Sequence, residues 1–412
     1  MTAHKSSSFF VSAFPLFLAI LIDGMGLGLV IPMLNTLITS PASGFFDHVV
    51  AEDRRNFLFG LTMSLFMMCW FFGAAYLGDL SDAIGRKKSL IIALVGNFAG
   101  YLISAIGVCF HSITVLIIGR MIAGFTSGSQ SIAQAAIIDL SSQEMKTRNL
   151  GLILFAASLG FILGPMFGAL LSDSRIYHGF GLVTPLYFAA IIAFLNIIFL
   201  LWLFKETFEP KSGIHFQFHR AIDIFISAFK HPDICYLAIV MLFMMLGWGS
   251  YYSFISLFLM KKFHLDNTHV NLFMALLAVG FGIGFGFIVN YFSHHFSLKS
   301  ACGTFMLIGG VIIILTVLMP TVIYSWIGAL LMGICIAVAY SMIITLFSNQ
   351  VDENSQGWVM GITNAIGSIG FATVGITSSI LADYSVNYPI LFSGIFLVLS
   401  AVLLYLTRNK IK

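Results

Sequence analysis

Apolar residues run along this chain in long continuous stretches separated by short polar connections. Twelve such runs lie near residues 10–34, 57–77, 89–109, 113–138, 150–171, 184–204, 234–260, 270–292, 300–319, 322–347, 357–381 and 388–407. About 20 apolar residues suffice for a helix to cross roughly 30 Å of hydrocarbon. Lipid offers the backbone no hydrogen-bonding partners, and the runs are too long and continuous for barrel strands. The pattern predicts an all-α integral membrane protein with twelve transmembrane helices.

The longest internal polar connection, residues 205–233, divides the runs into two sets of six. It predicts an N-terminal six-helix bundle over 1–204, a connecting segment, and a C-terminal six-helix bundle over 234–412. Within the connection, Phe216, Phe218, Ile222, Ile224, Phe225, Ile226 and Phe229 suit an amphipathic helix lying on the membrane surface. The halves are related at an offset of 210, pairing Gly151 with Gly361, Ser158 with Ser368, Gly160 with Gly370, and Asp173 with Asp383. Such a duplication suits alternating access about a site at the repeat interface.

Composition agrees. Mean hydropathy is +0.99, and only 9% of residues are charged, far from soluble usage. The first run is too long for a signal peptide, carries Asp23, and lacks a small-residue cleavage site. The five cysteines include no CxxC pair, so neither a disulfide framework nor a metal site is expected. Charge distribution sets the orientation. Lys5, Arg86, Lys87, Lys88, Lys146, Arg148, Lys205, Lys211, Arg220, Lys230, Lys299, Arg408, Lys410 and Lys412 fall on one side. Arg54, Arg55, Arg175, Lys261 and Lys262 fall on the other, and Arg120 lies inside a run. This bias puts both termini in the cytoplasm of an inner-membrane protein.

Between the second and third runs stands Gly78-Asp79-Leu80-Ser81-Asp82-Ala83-Ile84-Gly85-Arg86-Lys87-Lys88. It resembles the loop signature of the major facilitator superfamily. A membrane-flanking basic loop would account for Arg86 to Lys88, but not for the aspartates or Gly85. Further segments resemble the twelve-span drug:proton antiporter branch. These are Asp23 through Pro32, Gly119-Arg120 through Gly124, Asp139 through Gly151, Gly160 through Gly168, and Glu206-Thr207. The first is similar to the first span of tetracycline efflux proteins. Those proteins carry acidic residues in the third and eighth spans, where this chain has Gly100 and an acid-free run over 270–292. The resemblance implies the two-bundle fold and proton-driven transport.

The residues place candidate chemistry on this frame. Asp23 is the one carboxylate deep in a span; buried ionised and alone it would cost several kcal/mol. It therefore faces a cavity, pairs with a cation or takes up a proton, and is the expected proton carrier. Arg120 is its expected partner. Positions 124, 127, 131 and 134 continue from Arg120 at helical spacing as Gly, Ser, Ser and Gln. Ser127, Gln130, Ser131 and Gln134 are read as cavity-lining, close packing being the alternative. Trp248, Tyr251 and Tyr252, with Tyr340 and Asn364, are read as the C-terminal cavity wall, which suits a bulky amphipathic or weakly cationic substrate.

Gly78, Asp79, Asp82, Gly85, Arg86 and Lys87 are read as a conformational latch with Lys87 anchored at the surface; Asp139 either joins it or is an ordinary solvated helix end. Gly160, Gly164, Pro165 and Gly168 make a small-residue ladder expected to kink the fifth span and close a gate. No nucleotide loop, nucleophile elbow or HExxH occurs, so no enzyme, cofactor or nucleic-acid partner is expected. The expected function is proton-coupled export of a small amphipathic compound by a monomer. The alternative is proton-coupled uptake of a nutrient or siderophore-like metabolite.

Overall fold

The computed structural model describes residues 2–141, 146–208, 219–319, 321–351 and 356–406. These form α1 (Thr2–Thr39), α2 (Glu52–Ile84), α3 (Arg86–Cys109), α4 (Ile113–Thr126), α5 (Ser129–Asp139), α6 (Lys146–Ser172), α7 (Thr184–Leu203) and α8 (Arg220–Lys230). The chain continues through α9 (Cys235–Phe263), α10 (Asn267–Ile283), α11 (Val289–His295), α12 (Leu298–Leu318), α13 (Val322–Asn349), α14 (Gln356–Tyr384) and α15 (Asn387–Leu406). A π-helical turn over Gly284–Ile288 joins α10 to α11. Among the described residues, 11 helical segments are long and apolar enough to cross a membrane.

The twelfth span is the fourth apolar run, which departs from the expected single helix. It breaks at Ser127 and Gly128 into α4 and α5. Two small residues in succession lower the resistance to such a break. The consequence is a second helix N-terminus inside the membrane.

Helices α1 to α7 pack among themselves and α9 to α15 among themselves; the two sets meet chiefly where α2 lies along α14 and α6 along α10. Small residues set the closest seams. A methyl group at Gly100 would stand 2.6 Å from Ala123 N, so α3 and α4 touch backbone to backbone there. That contact leaves no room at position 100 for an acidic side chain.

Helix α8 is amphipathic as expected, but it does more than lie on a lipid surface. Ala221 and Phe225 pack with Phe71 of α2 and Ala365 of α14, while Ile222 and Ile226 face outward. Phe216 and Phe218, with the rest of 209–218, lie outside the described residues.

Candidate functional site

Asp23 lies mid-way along α1 and is 3% exposed. Three donors converge on its carboxylate. Asn97 Nδ2 of α3 donates to Oδ1 at 3.0 Å, and the Ser129 hydroxyl donates to Oδ2 over a short contact. The backbone N–H of Gln130 is the third. Ser129 and Gln130 open α5, so the broken span aims a helix N-terminus at a membrane-buried carboxylate, where its dipole favours negative charge.

Arg120 is not the partner of Asp23, contrary to expectation. Its guanidinium lies 4.1 Å over the Phe66 ring and hydrogen-bonds Tyr101. Its Nε and Nη1 have no partner among the described residues. Tyr101 separates the two charges: its hydroxyl presses on Gly26, one turn along α1 from Asp23. With three donors already on its carboxylate, Asp23 is served without the arginine.

The polar stripe after Arg120 also divides differently. A methyl group at Gly124 would meet Phe66 O at 2.3 Å, so that position packs on α2. Ser127 donates to Ala123 O at 2.9 Å and reaches Asn97 Oδ1 at 3.5 Å, while Ser131 bonds Gly128 O at 2.8 Å and reaches Ala74 O of α2 at 3.5 Å. Ser127 and Ser131 therefore serve helix packing at the break in place of lining a cavity. Gln130 contributes its backbone to Asp23, and Gln134 is half-buried on α5.

Sequence reasoning missed Asn97, Thr126 and Ser129. An amide inside the third apolar run was the available signal, one turn before the Gly100 position where an acid was sought. Thr126 donates to Asn97 Oδ1 at 3.0 Å, which links Asp23 to the last turn of α4.

In the C-terminal set, Trp248, Tyr251 and Tyr252 of α9 form one aromatic group. Trp248 stands 5.1 Å from Tyr252 and 5.4 Å edge-on to Phe281 of α10. The Tyr252 hydroxyl is buried without a partner among the described residues. Tyr340 on α13 and Asn364 on α14 are half-buried.

The signature loop closes on itself. Gly85 adopts φ +98°, open to glycine at little strain, and lets α3 start one residue after α2 ends. Arg86 bonds Asp82 at 2.6 Å, Asp139 at 3.1 Å and the Ser81 hydroxyl at 2.8 Å. Glu206 caps α3, accepting from the N–H groups of Arg86 and Lys87 at 2.9 and 3.0 Å. Lys87 is turned from the surface role expected of it and donates to Leu201 O and Phe204 O at the end of α7. Asp79 pairs with Arg220 of α8, and Gly78 faces open space.

The ladder of α6 faces α1 of its own set. A methyl group at Gly160 would stand 2.4 Å from Leu21 O, at Gly164 2.5 Å from Met25 O, and at Gly168 2.6 Å from Leu29 O. Pro165 presses on Gly28, within a helix that runs on to Ser172. Gly24, the residue after Asp23, thus sits on this seam.

Polar ties between the two sets gather on the face opposite the signature loop. Asn56 donates to Asp383 at 2.9 Å, Thr268 donates to Asp173 at 2.8 Å, Arg175 pairs with Asp266 at 3.4 Å, and Lys261 pairs with Glu52. Asp266 accepts from the His269 N–H and ring, which hold its carboxyl down at about 2. Asp173 is likewise lowered, by the Arg175 N–H first and then by the Thr268 hydroxyl.

The Major Facilitator Superfamily sequence profile matches residues 16–375 and 237–412. "Tetracycline resistance protein, class H" of Pasteurella multocida is 26% identical over 396 residues, covering 93% of this chain and 91% of that protein. "Multidrug resistance protein 2" of Bacillus subtilis (strain 168) is 24% identical, covering 94% and 92%. Among solved structures, the human organic anion transporter MFSD10 superposes with a TM-score of 0.72 at 21% identity, over 96% of this chain and 99% of that one. A D-xylose-proton symporter superposes with a TM-score of 0.75 at 17% identity, over 98% of each.

Proposed function

The chain belongs to the Major Facilitator Superfamily, and we propose that it is a proton-coupled exporter of small amphipathic compounds. It is a transporter and not an enzyme, as its relatives are. The observation that carries the finer reading is Asp23. A carboxylate buried in α1, beside three hydrogen-bond donors and with no cation bonded to it among the described residues, is held when ionised and can take up a proton in place of a counter-ion. Resistance and multidrug proteins among its relatives support outward transport.

In this reading the bundles of 1–204 and 234–412, linked by 205–233, rock about the site. The signature loop and both termini face the cytoplasm. The face carrying the cross-set ties faces outward and is shut in this conformation. Substrate enters from the cytoplasm against the aromatic group of Trp248, Tyr251 and Tyr252. A proton loading Asp23 from outside accompanies substrate release there, and Arg86 with Asp82 and Asp139 steadies the cytoplasmic mouth when it closes.

Flux of a panel of fluorescent amphipathic dyes in proteoliposomes under an imposed pH gradient tests the reading. Dye moving against the proton flow is the expected result. Dye moving with the proton, or binding that tightens on acidification, replaces export with uptake by symport.

A further inference from the structure

We infer that Asn97 is the positioning residue that carries the charge state of Asp23 to the break between α4 and α5. The inference rests on the proton-carrier reading of Asp23. It goes beyond it by assigning the step that turns protonation into movement.

The argument begins with one amide between two demands. Asn97 is fully buried and bifunctional: its Nδ2 donates to Asp23 Oδ1 at 3.0 Å, and its Oδ1 accepts from Thr126 at 3.0 Å. An amide carries donors at one end and an acceptor at the other. Its orientation is therefore set by whichever neighbour is less flexible. An ionised Asp23 accepts only, which holds Nδ2 toward α1 and Oδ1 toward α4. A proton arriving on Asp23 Oδ1 converts that oxygen from acceptor to donor. Nδ2 and the new O–H then oppose each other, and the amide turns so that its oxygen accepts from Asp23. No bond other than O–H forms, and the proton stays on Oδ1.

The far end of the amide decides what moves. Thr126 has a single hydroxyl proton and three acceptors in reach: Asn97 Oδ1, Ile122 O at 2.8 Å and Ala123 O at 3.2 Å. Ser127 has the same choice between Asn97 Oδ1 at 3.5 Å and Ala123 O at 2.9 Å. When Nδ2 swings toward them, both hydroxyls return their protons to the carbonyls of the last turn of α4. Hydroxyls bonding to such carbonyls bend helices, and this turn adjoins the break at Ser127 and Gly128. Thr126 also packs its methyl on Gly96, so a shift of that turn is passed to α3.

Among the described residues, no other charge competes for the role. The ionisable side chain facing Asp23 is Tyr101 of α3, with Arg120 of α4 behind it. Helices α2, α5, α6, α7 and α9 bring no carboxylate or cation to that depth; their charged residues lie near helix ends.

The test separates protonation from response in full-length protein in nanodiscs. Infrared difference spectra follow the protonated-carboxyl C=O band of Asp23, assigned by its loss in Asp23→Asn. Spin-label distances between the 40–50 segment and the 384–387 turn follow the response to the same acidification. Thr126→Val removes the hydroxyl without changing the side-chain shape, Thr126→Ser keeps it, and Asn97→Leu removes both ends of the amide. We expect the band to titrate in all three. The acid-induced distance change is retained in Thr126→Ser, and falls at least several-fold in Thr126→Val and Asn97→Leu. A band that titrates with an unaltered distance response in Thr126→Val and Asn97→Leu overturns the relay and leaves the proton-carrier reading standing. A wild-type protein without a titrating Asp23 band overturns both.

Discussion

Asp173 and Asp383, 210 residues apart, each accept a hydrogen bond from the opposite set of helices. Asp173 takes it from Thr268 at 2.8 Å and Asp383 from Asn56 at 2.9 Å. The two carboxylates close α6 and α14, the helices that lie along α10 and α2 respectively. An aspartate at the end of each helix thus makes the same kind of tie, once across each seam.

Removing both ties is expected to loosen that face. A hydrogen bond to a charged group contributes about 1.5–3 kcal/mol, so Asp173→Ala with Asp383→Ala shifts the balance toward the conformation open on that face, beyond either single change. Spin-label distances between positions 48 and 388 read the shift. Distances unchanged in the double variant would show that these two hydrogen bonds do not hold the face, leaving it to the Arg175–Asp266 and Lys261–Glu52 pairs and to packing.

Acid does not break the Arg175–Asp266 tie in the ordinary range. Asp173 and Asp266 have carboxyls lowered by folding, so their contribution is present above the unfolded value and is lost as pH falls through the folded one. For Asp266 that means near pH 2. Between about pH 8 and pH 4 the Arg175–Asp266 tie is expected to persist. Any acid response in that window that survives Asp266→Asn arises elsewhere; one abolished by that substitution contradicts the prediction.

Asp23→Asn is expected to abolish proton-driven accumulation while leaving folding and passive exchange nearly intact. The amide keeps shape and acceptor, and Ser129 and the Gln130 N–H retain a partner. Proteoliposome flux with and without a pH gradient distinguishes the two activities. Normal coupling in the variant removes Asp23 from the carrier role.

At the signature loop, Glu206→Gln weakens the cap on the first N–H groups of α3, which costs about 1 kcal/mol and lowers the thermal midpoint modestly. Arg86→Ala takes more, because three hydrogen bonds to Ser81, Asp82 and Asp139 go together. Turnover is expected to fall in Arg86→Ala with dye affinity little changed. A collapse in affinity with unchanged turnover would make the loop a binding element.

Gly160→Val tests the α1–α6 seam. Even a methyl group there would stand 2.4 Å from Leu21 O, so the helices must part by an ångström or more, and overpacking of this kind costs about 1–3 kcal/mol. The thermal midpoint is expected to drop, and the Asp23 infrared band to shift, because Gly24 shares the seam. A stable protein with an unmoved band would show that the seam does not position Asp23.

The sequence displayed what composition and local motif can carry: the apolar runs, the signature loop with Asp82 and Arg86, and the lone carboxylate at Asp23. It hid what depends on one helix break. Treating 113–138 as a continuous helix put Arg120 and the serines after it on one polar face; the turn lost at Ser127 and Gly128 sends Ser131 to α2 and aims α5 at Asp23. Asn97 escaped notice because its partners, Asp23 and Thr126, lie 74 and 29 residues away, a distance no local period reports. Charge alone pairs Arg120 with Asp23 in the sequence, and Tyr101 between them is visible only in three dimensions.

The contact of α2 with α14 has a mechanical consequence. Their backbones meet where a methyl group at Gly60 would stand 2.0 Å from Gly375 O, and in the proposed rocking of the two sets this close contact is the fulcrum. The Asn56–Asp383 tie is four residues from that point, about 6 Å along the helix, whereas Ile84 at the signature loop is about 36 Å away. The arms differ about sixfold. A separation of one ångström at the short arm becomes several ångströms at the far mouth, so ties of a few kcal/mol govern a passage wide enough for a molecule.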